Sequence, residues 1–108
     1  MTNGPLVFQG LRTIIYPAPD LATAKRWWTQ VLGKQPYFDE PFYVGFTVAG
    51  YELALDPSGN PADGPVTYWG VPDVDAAVDQ LLTLGATEHS APQDVGGGIR
   101  VAVVRTPS

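Results

Sequence analysis

Two stretches of this chain repeat one pattern. Residues 13–24 read TIIYPAPDLATA and residues 66–77 read VTYWGVPDVDAA. Each runs aliphatic and aromatic residues into a Pro-Asp pair, Pro19-Asp20 and Pro72-Asp73, and each closes on alanine. The two read as copies of one supersecondary unit, so any fold proposed for the chain has to accommodate both.

The first copy opens with LRTIIYPA, a β-branched and aromatic run ended by Pro17 and Pro19, neither of which can donate to a sheet ladder. Asp20 suits a helix N-terminus, where its carboxylate accepts a backbone N–H and faces the positive end of the dipole. In LATAKRWWTQVLG, Leu21, Ala24, Trp28 and Val31/Leu32 recur at helical spacing, and Gly33 supplies the stop. KQPYFDEP, FYVGFTVA and YELALDP then read as three strands, the last two joined by a tight hairpin at Ala49-Gly50. After a turn-rich linker the second copy runs through strand VTYWGV, helix DVDAAVDQLLTLG with Asp73 at its start, a short strand near TEHS, a loop APQDVGGG and a strand IRVAVVR. The expected organisation is one domain over residues 1–108, with a β-α-β-β-β module at 11–56, a linker at 57–65 and a second module at 66–108 that lacks its final strand. Each sheet would carry one helix behind it and keep one face free.

Composition narrows the function. A chain of 108 residues with 44% hydrophobic content can bury roughly two-thirds of its unfolded surface as one core. There are no cysteines, so neither disulfides nor thiolate chemistry enter. The net charge of -5 and six scattered Lys and Arg residues leave no basic patch for nucleic acid. MTNGPLVFQG has no basic n-region or long apolar run, and nothing later approaches a membrane span. The chain is therefore expected in the cytoplasm, without nucleic-acid or membrane partners.

The paired modules, PDLATAKRWWTQVLG and GGGIRVAVVRTPS resemble the vicinal oxygen chelate superfamily of glyoxalase I, bleomycin-resistance proteins and extradiol dioxygenases, over nearly all of the chain from Leu11 onward. The resemblance implies an α+β fold of two tandem β-α-β-β-β modules whose curved mixed sheets form a cup, usually completed in a homodimer. In metal-using members a His or Gln lies seven positions before each Asp, and a Glu lies on each fourth strand. Those positions fall here on Thr13, Val66 and Glu52, while the second Glu would lie beyond Ser108. Valine has no lone pair, and a threonine hydroxyl is a poor transition-metal ligand. No metal and no cofactor are therefore expected, as in the metal-free, bleomycin-resistance-like branch. Relatives continue into a strand that pairs with IRVAVVR; its absence suggests pairing with another subunit or a shortened chain.

Strand alternation sorts the faces. If Thr13 faces the cup, so do Ile15, Glu52, Ala54, Asp56, Val66 and Tyr68, while Ile14, Tyr16, Leu53, Leu55 and Trp69 back onto the helices. Phe46 or Tyr43 adds an aromatic wall; alternation allows one, and Phe46 stands in the expected ligand-binding set. Thr13, Ile15, Phe46, Glu52, Ala54, Val66 and Tyr68 would hold a small, partly aromatic organic ligand. Glu52 is the one candidate catalytic residue, as a general base, although a solvated role or a dimer salt bridge would explain it equally.

The remaining features read as structural. Trp28 suits the core and Trp27 stays open, His89 suits an exposed loop, and DVGGGIR precedes a strand, so it suits a loop over the cup mouth and not a phosphate cradle. Arg100 and Arg105 suit the charged ends of an edge strand. The function expected is metal-independent binding of a small molecule, with antibiotic sequestration as one form. A glyoxalase-like lyase or dioxygenase, a metal-free isomerase using Glu52, and an interaction domain with a filled cup are the alternatives.

Overall fold

A computed structural model describes residues 8–107. Ser108 and residues 1–7, where most of the leader reading falls, lie outside the described residues. The described residues divide into two compact units, one of residues 10–70 and one of residues 71–107 together with residues 8–9.

The unit spanning residues 10–70 contains β1 (Leu11–Pro17), α1 (Leu21–Leu32), β2 (Phe38–Glu40), β3 (Tyr43–Val48), β4 (Tyr51–Asp56), a short 3-10 turn (Pro61–Asp63) and β5 (Val66–Trp69). The strands form one sheet in the order β2-β3-β4-β1-β5. β1 is parallel to β4 and antiparallel to β5, so the strand that opens the second sequence repeat completes the sheet of the first. The two modules predict a four-stranded sheet and a three-stranded one; because β5 joins the first, the strands are instead divided into a five-stranded mixed sheet and a two-stranded one.

Local chemistry sets the boundaries as the sequence predicts. Asp20 caps α1, its Oδ1 accepting the Thr23 N–H at 3.2 Å and its Oδ2 the Thr23 hydroxyl at 2.8 Å. These bonds hold the Asp20 carboxyl below its ordinary value. Gly33 ends the helix in the left-handed region at φ 67°, donating its N–H to the Thr29 carbonyl. Ala49 and Gly50 join β3 to β4 with φ of 50° and 87°, both positive as a type I′ hairpin requires.

One face of this sheet is closed by α1. Val44, Phe46 and Leu55 are fully buried and form a core with Ala18. Tyr16, Val48 and Leu53 from the sheet, and Leu21, Ala24, Trp28 and Leu32 from the helix, pack against it. Trp28 is thus a core residue, in tilted contact with Tyr16, while Trp27 is 56% exposed and meets Trp28 edge-on.

In the unit that follows, α2 (Val74–Thr83) precedes a hairpin of β6 (Thr87–Gly96) and β7 (Ile99–Arg105). Asp73 caps α2 through the Ala76 N–H at 3.1 Å. The expected short strand and loop are corrected here: β6 continues through APQDVG, and only Gly97-Gly98 turns the chain. Pro92 is tolerated because the ladder is irregular between Ser90 and Gln93. His89 is exposed, but it lies on β6 where the register shifts between Glu88 and Ser90, and not in a loop. Arg100 holds the start of β7, pairing with both Asp75 oxygens at 2.8 and 3.0 Å and with Asp94 at 3.4 Å. No helix among the described residues is long and apolar enough to cross a membrane.

Candidate functional site

The sheet face opposite α1 is assembled by register. Thr13 lies beside Glu52 of β4 and Tyr68 of β5, and Ile15 beside Ala54 and Val66. Across the β3–β4 hairpin, Thr47 opposes Glu52 and Gly45 opposes Ala54. Because side chains alternate along a strand, Thr13, Ile15, Glu52, Ala54, Asp56, Val66 and Tyr68 share this face as expected from the sequence.

Phe46 does not belong to it. It opposes Leu53 and is fully buried under α1, so its assignment to the ligand-binding set is corrected. The opposite parity of β3 puts Tyr43, Gly45 and Thr47 on the open face, and the aromatic wall is Tyr43. Trp69 is also corrected: its register is that of the core side, yet it is 48% exposed and its Nε1 donates to the Thr67 hydroxyl.

Glu52 is the centre of this face. Its Oε1 accepts hydrogen bonds from the Thr13 hydroxyl and the Tyr43 hydroxyl, each at 2.9 Å, and its Oε2 accepts from the Tyr37 hydroxyl. The carboxylate is partly buried and paired with hydroxyls, and among the described residues of the chain it forms no ion pair. The electrostatic consequence falls on the phenols. A phenolate here would adjoin a carboxylate, so the hydrogen bond to Glu52 pushes Tyr37 up to about 12. Tyr43 is raised first by burial and then by its bond to Glu52. Tyr68 is raised by burial and by the charge of Asp56. All three therefore remain protonated donors at neutral pH.

Tyr37 enters from outside the strands. Its backbone N–H donates to the Gly45 carbonyl at 2.9 Å, and its ring crosses Gly45 to reach Glu52. A Cβ on Gly45 would stand 2.7 Å from Glu52 Oε2 and 2.9 Å from Tyr37 Cε1. Only glycine leaves room for that meeting. Tyr37 and Gly45 were not singled out from the sequence, although an isolated glycine inside the strand FYVGFTVA is a signal of close approach.

This sheet, its helix and the carboxylate on its open face accord with the comparison with known families. The model of the Glyoxalase/Bleomycin resistance protein/Dioxygenase superfamily matches residues 10–108. The chain belongs to this superfamily. Among solved structures, the crystal structure of NAD-dependent benzaldehyde dehydrogenase from Legionella pneumophila is similar with a TM-score of 0.62 at 19% identity, covering 75% of this chain and 77% of that one. At that identity the likeness is one of fold. No curated protein matches the chain.

The divalent ion of the superfamily's metal-using members does not fit the residues at the corresponding positions. Val66 offers no donor atom, the Thr13 hydroxyl is spent on Glu52, and hydroxyl protons cover both oxygens of that carboxylate. Among the described residues, no three His, Cys, Asp or Glu side chains gather into a group that could hold a metal.

Proposed function

We propose that this superfamily member binds a small, partly aromatic organic molecule on the open face of the five-stranded sheet, without a metal. The observation that carries the reading is the Glu52 carboxylate held by Thr13, Tyr37 and Tyr43 on a face that also presents Ile15, Val66 and Tyr68 around the buried Ala54. Apolar surface with a few fixed polar groups is the composition of a small-molecule site. The strand-borne hydroxyls of Thr13 and Tyr43 already have their protons directed at Oε1, so this part of the face is pre-organised and loses little freedom on binding. Each carboxylate oxygen already accepts a hydroxyl proton, so Glu52 is placed to accept hydrogen bonds and not to strip a carbon-bound proton. That arrangement supports Glu52 as an anchor better than as a proton-abstracting base.

Antibiotic sequestration by a cytoplasmic homodimer belongs to the same proposal. The test is a thermal-shift screen of planar aromatic compounds in the presence of a chelator. A ligand at one hundred times its Kd should stabilise the native state by about 2.7 kcal/mol, and Glu52→Ala should reduce the shift of a ligand that carries an O–H or N–H donor. Stabilisation that appears only on adding a divalent ion would overturn the metal-free reading.

A further inference from the structure

The three hydroxyl partners of Glu52 are not equivalent. Thr13 and Tyr43 stand on β1 and β3, are partly buried, and both donate to Oε1. Tyr37 alone donates to Oε2; it lies between α1 and β2 and is 62% exposed. Its ring lies against the bare backbone of Gly45, where a Cβ would come within 2.9 Å of Cε1 and 3.2 Å of Cζ. Gly45 is itself buried, and Ala54, its register partner on the same face, is fully buried. The neighbouring ring, Phe38, is 6.4 Å away between centroids and tilted by 53°, so no tight stack clamps Tyr37 in place.

From this asymmetry we infer that Tyr37 holds the place of the ligand: binding displaces its ring from Gly45, and the ligand that replaces it is a flat ring carrying an O–H or N–H donor. The inference rests on the proposed use of this face as a binding site, and it names the class of molecule the face accepts. The floor of Gly45 and Ala54 is apolar and nearly flat because one residue has no side chain and the other has only a methyl. Moving Tyr37 away uncovers that floor and removes the hydrogen bond to Oε2. A partly buried acceptor without a donor is costly, so a plain hydrocarbon ring would replace the contact but not the hydrogen bond. A ring with a donor replaces both. The Tyr37 backbone stays anchored to the Gly45 carbonyl through its N–H, which lets the side chain swing without unfolding the segment.

The test compares p-cresol, which reproduces the tyrosine side chain, with toluene, which lacks its hydroxyl. Binding to the wild-type chain, to Tyr37→Ala and to the double variant Tyr37→Ala/Glu52→Ala is measured by protein-detected NMR titration, whose spectra also show that each variant is folded. Removing the competing ring should tighten p-cresol binding by about tenfold, the factor by which the occupied form suppresses it. Toluene should gain less, and the double variant should lose the preference for p-cresol. Equal gains for both compounds would overturn the donor requirement. Weaker binding of every ring to Tyr37→Ala would make Tyr37 a wall of the site and overturn the displacement, while leaving the binding function intact. No binding of either ring to any form would overturn the inference and the proposed function together.

Discussion

The two units start their helices in the same way and diverge in what they bury. Both start a helix at a Pro-Asp pair whose aspartate accepts a backbone N–H. In residues 10–70 the helix closes a sheet face over Val44, Phe46 and Leu55, none of which retains accessible surface. Among residues 71–107, considered as a unit, only Ala77 and Val78 are buried, and the hairpin beyond α2 is tied to it by Arg100. The carboxylate and its hydroxyls sit on the unit with the larger core. A repeated sequence thus gives repeated local structure, while burial and site chemistry follow from residues that the repeat does not share.

That contrast can be broken most severely at Phe46. Phe46→Ala should lower unfolding stability by about 3–5 kcal/mol, as expected for an aromatic removed from a closed core, and Val78→Ala in the other unit should cost less. Urea denaturation of both variants checks the ranking. A Val78→Ala loss equal to or larger than that of Phe46→Ala would mean that the two units contribute alike.

Gly45→Ala probes the open face of the same sheet. Its Cβ would intrude on both the Glu52 carboxylate and the Tyr37 ring, at 2.7 and 2.9 Å, with an expected cost of about 1–3 kcal/mol. Pairing it with Tyr37→Ala should recover part of the loss, because one of the two crowded groups is then gone. A double-mutant cycle measures that coupling.

The phenols predict a smaller effect confined to alkaline pH. Tyr37 has a folded value near 12 and Tyr43 is also raised, against about 10 in the unfolded chain. The folded state therefore retains protons that the unfolded state releases, so this contribution is fully present below about pH 10 and is lost as the pH rises through the folded values. Stability followed against pH should fall in that window, and tyrosinate absorbance should report phenols that ionise late. Glu52→Gln should bring Tyr37 back most, because its bond to Glu52 is the largest cause of its shift; Tyr43 should recover less, because burial leads there.

The smallest effect belongs to the second unit. Arg100 is bound to Asp75 and Asp94 at the surface, and exposed pairs of this kind are weak and screened by salt. Arg100→Ala should reduce the melting temperature slightly at low ionic strength and indistinguishably from wild type at high ionic strength. A salt-independent loss would show that the arginine's packing, and not its charge, holds the hairpin.

Much of this architecture is legible in the sequence because it is local. The helix caps at Asp20 and Asp73, the stop at Gly33 and the turn at Ala49-Gly50 each depend on a few neighbouring residues. That Thr13 and Glu52 share a face is also recoverable, since alternation fixes the face of each once the strands are placed, whereas their register as neighbours is a long-range contact. The parity of β3 is not, because FYVGFTVA offers an aromatic residue to either face and only the packing of α1 decides that Phe46 goes inside. The length of β6 is concealed by Pro92 and by the glycines after Val95, which read as a loop in isolation. The docking of β5 onto β1 and the reach of Tyr37 over Gly45 are long-range contacts that no local pattern encodes.

The central claim is that the Glu52 face is where a ligand binds. Backbone amide NMR during titration with a planar aromatic compound tests it most directly, residue by residue. The account predicts shifts concentrated at Thr13, Tyr37, Gly45, Glu52, Ala54 and Tyr68, and their weakening in Glu52→Ala for a compound that carries an O–H or N–H donor. Shifts centred instead on β6 and β7, with the Glu52 face unmoved, would contradict it.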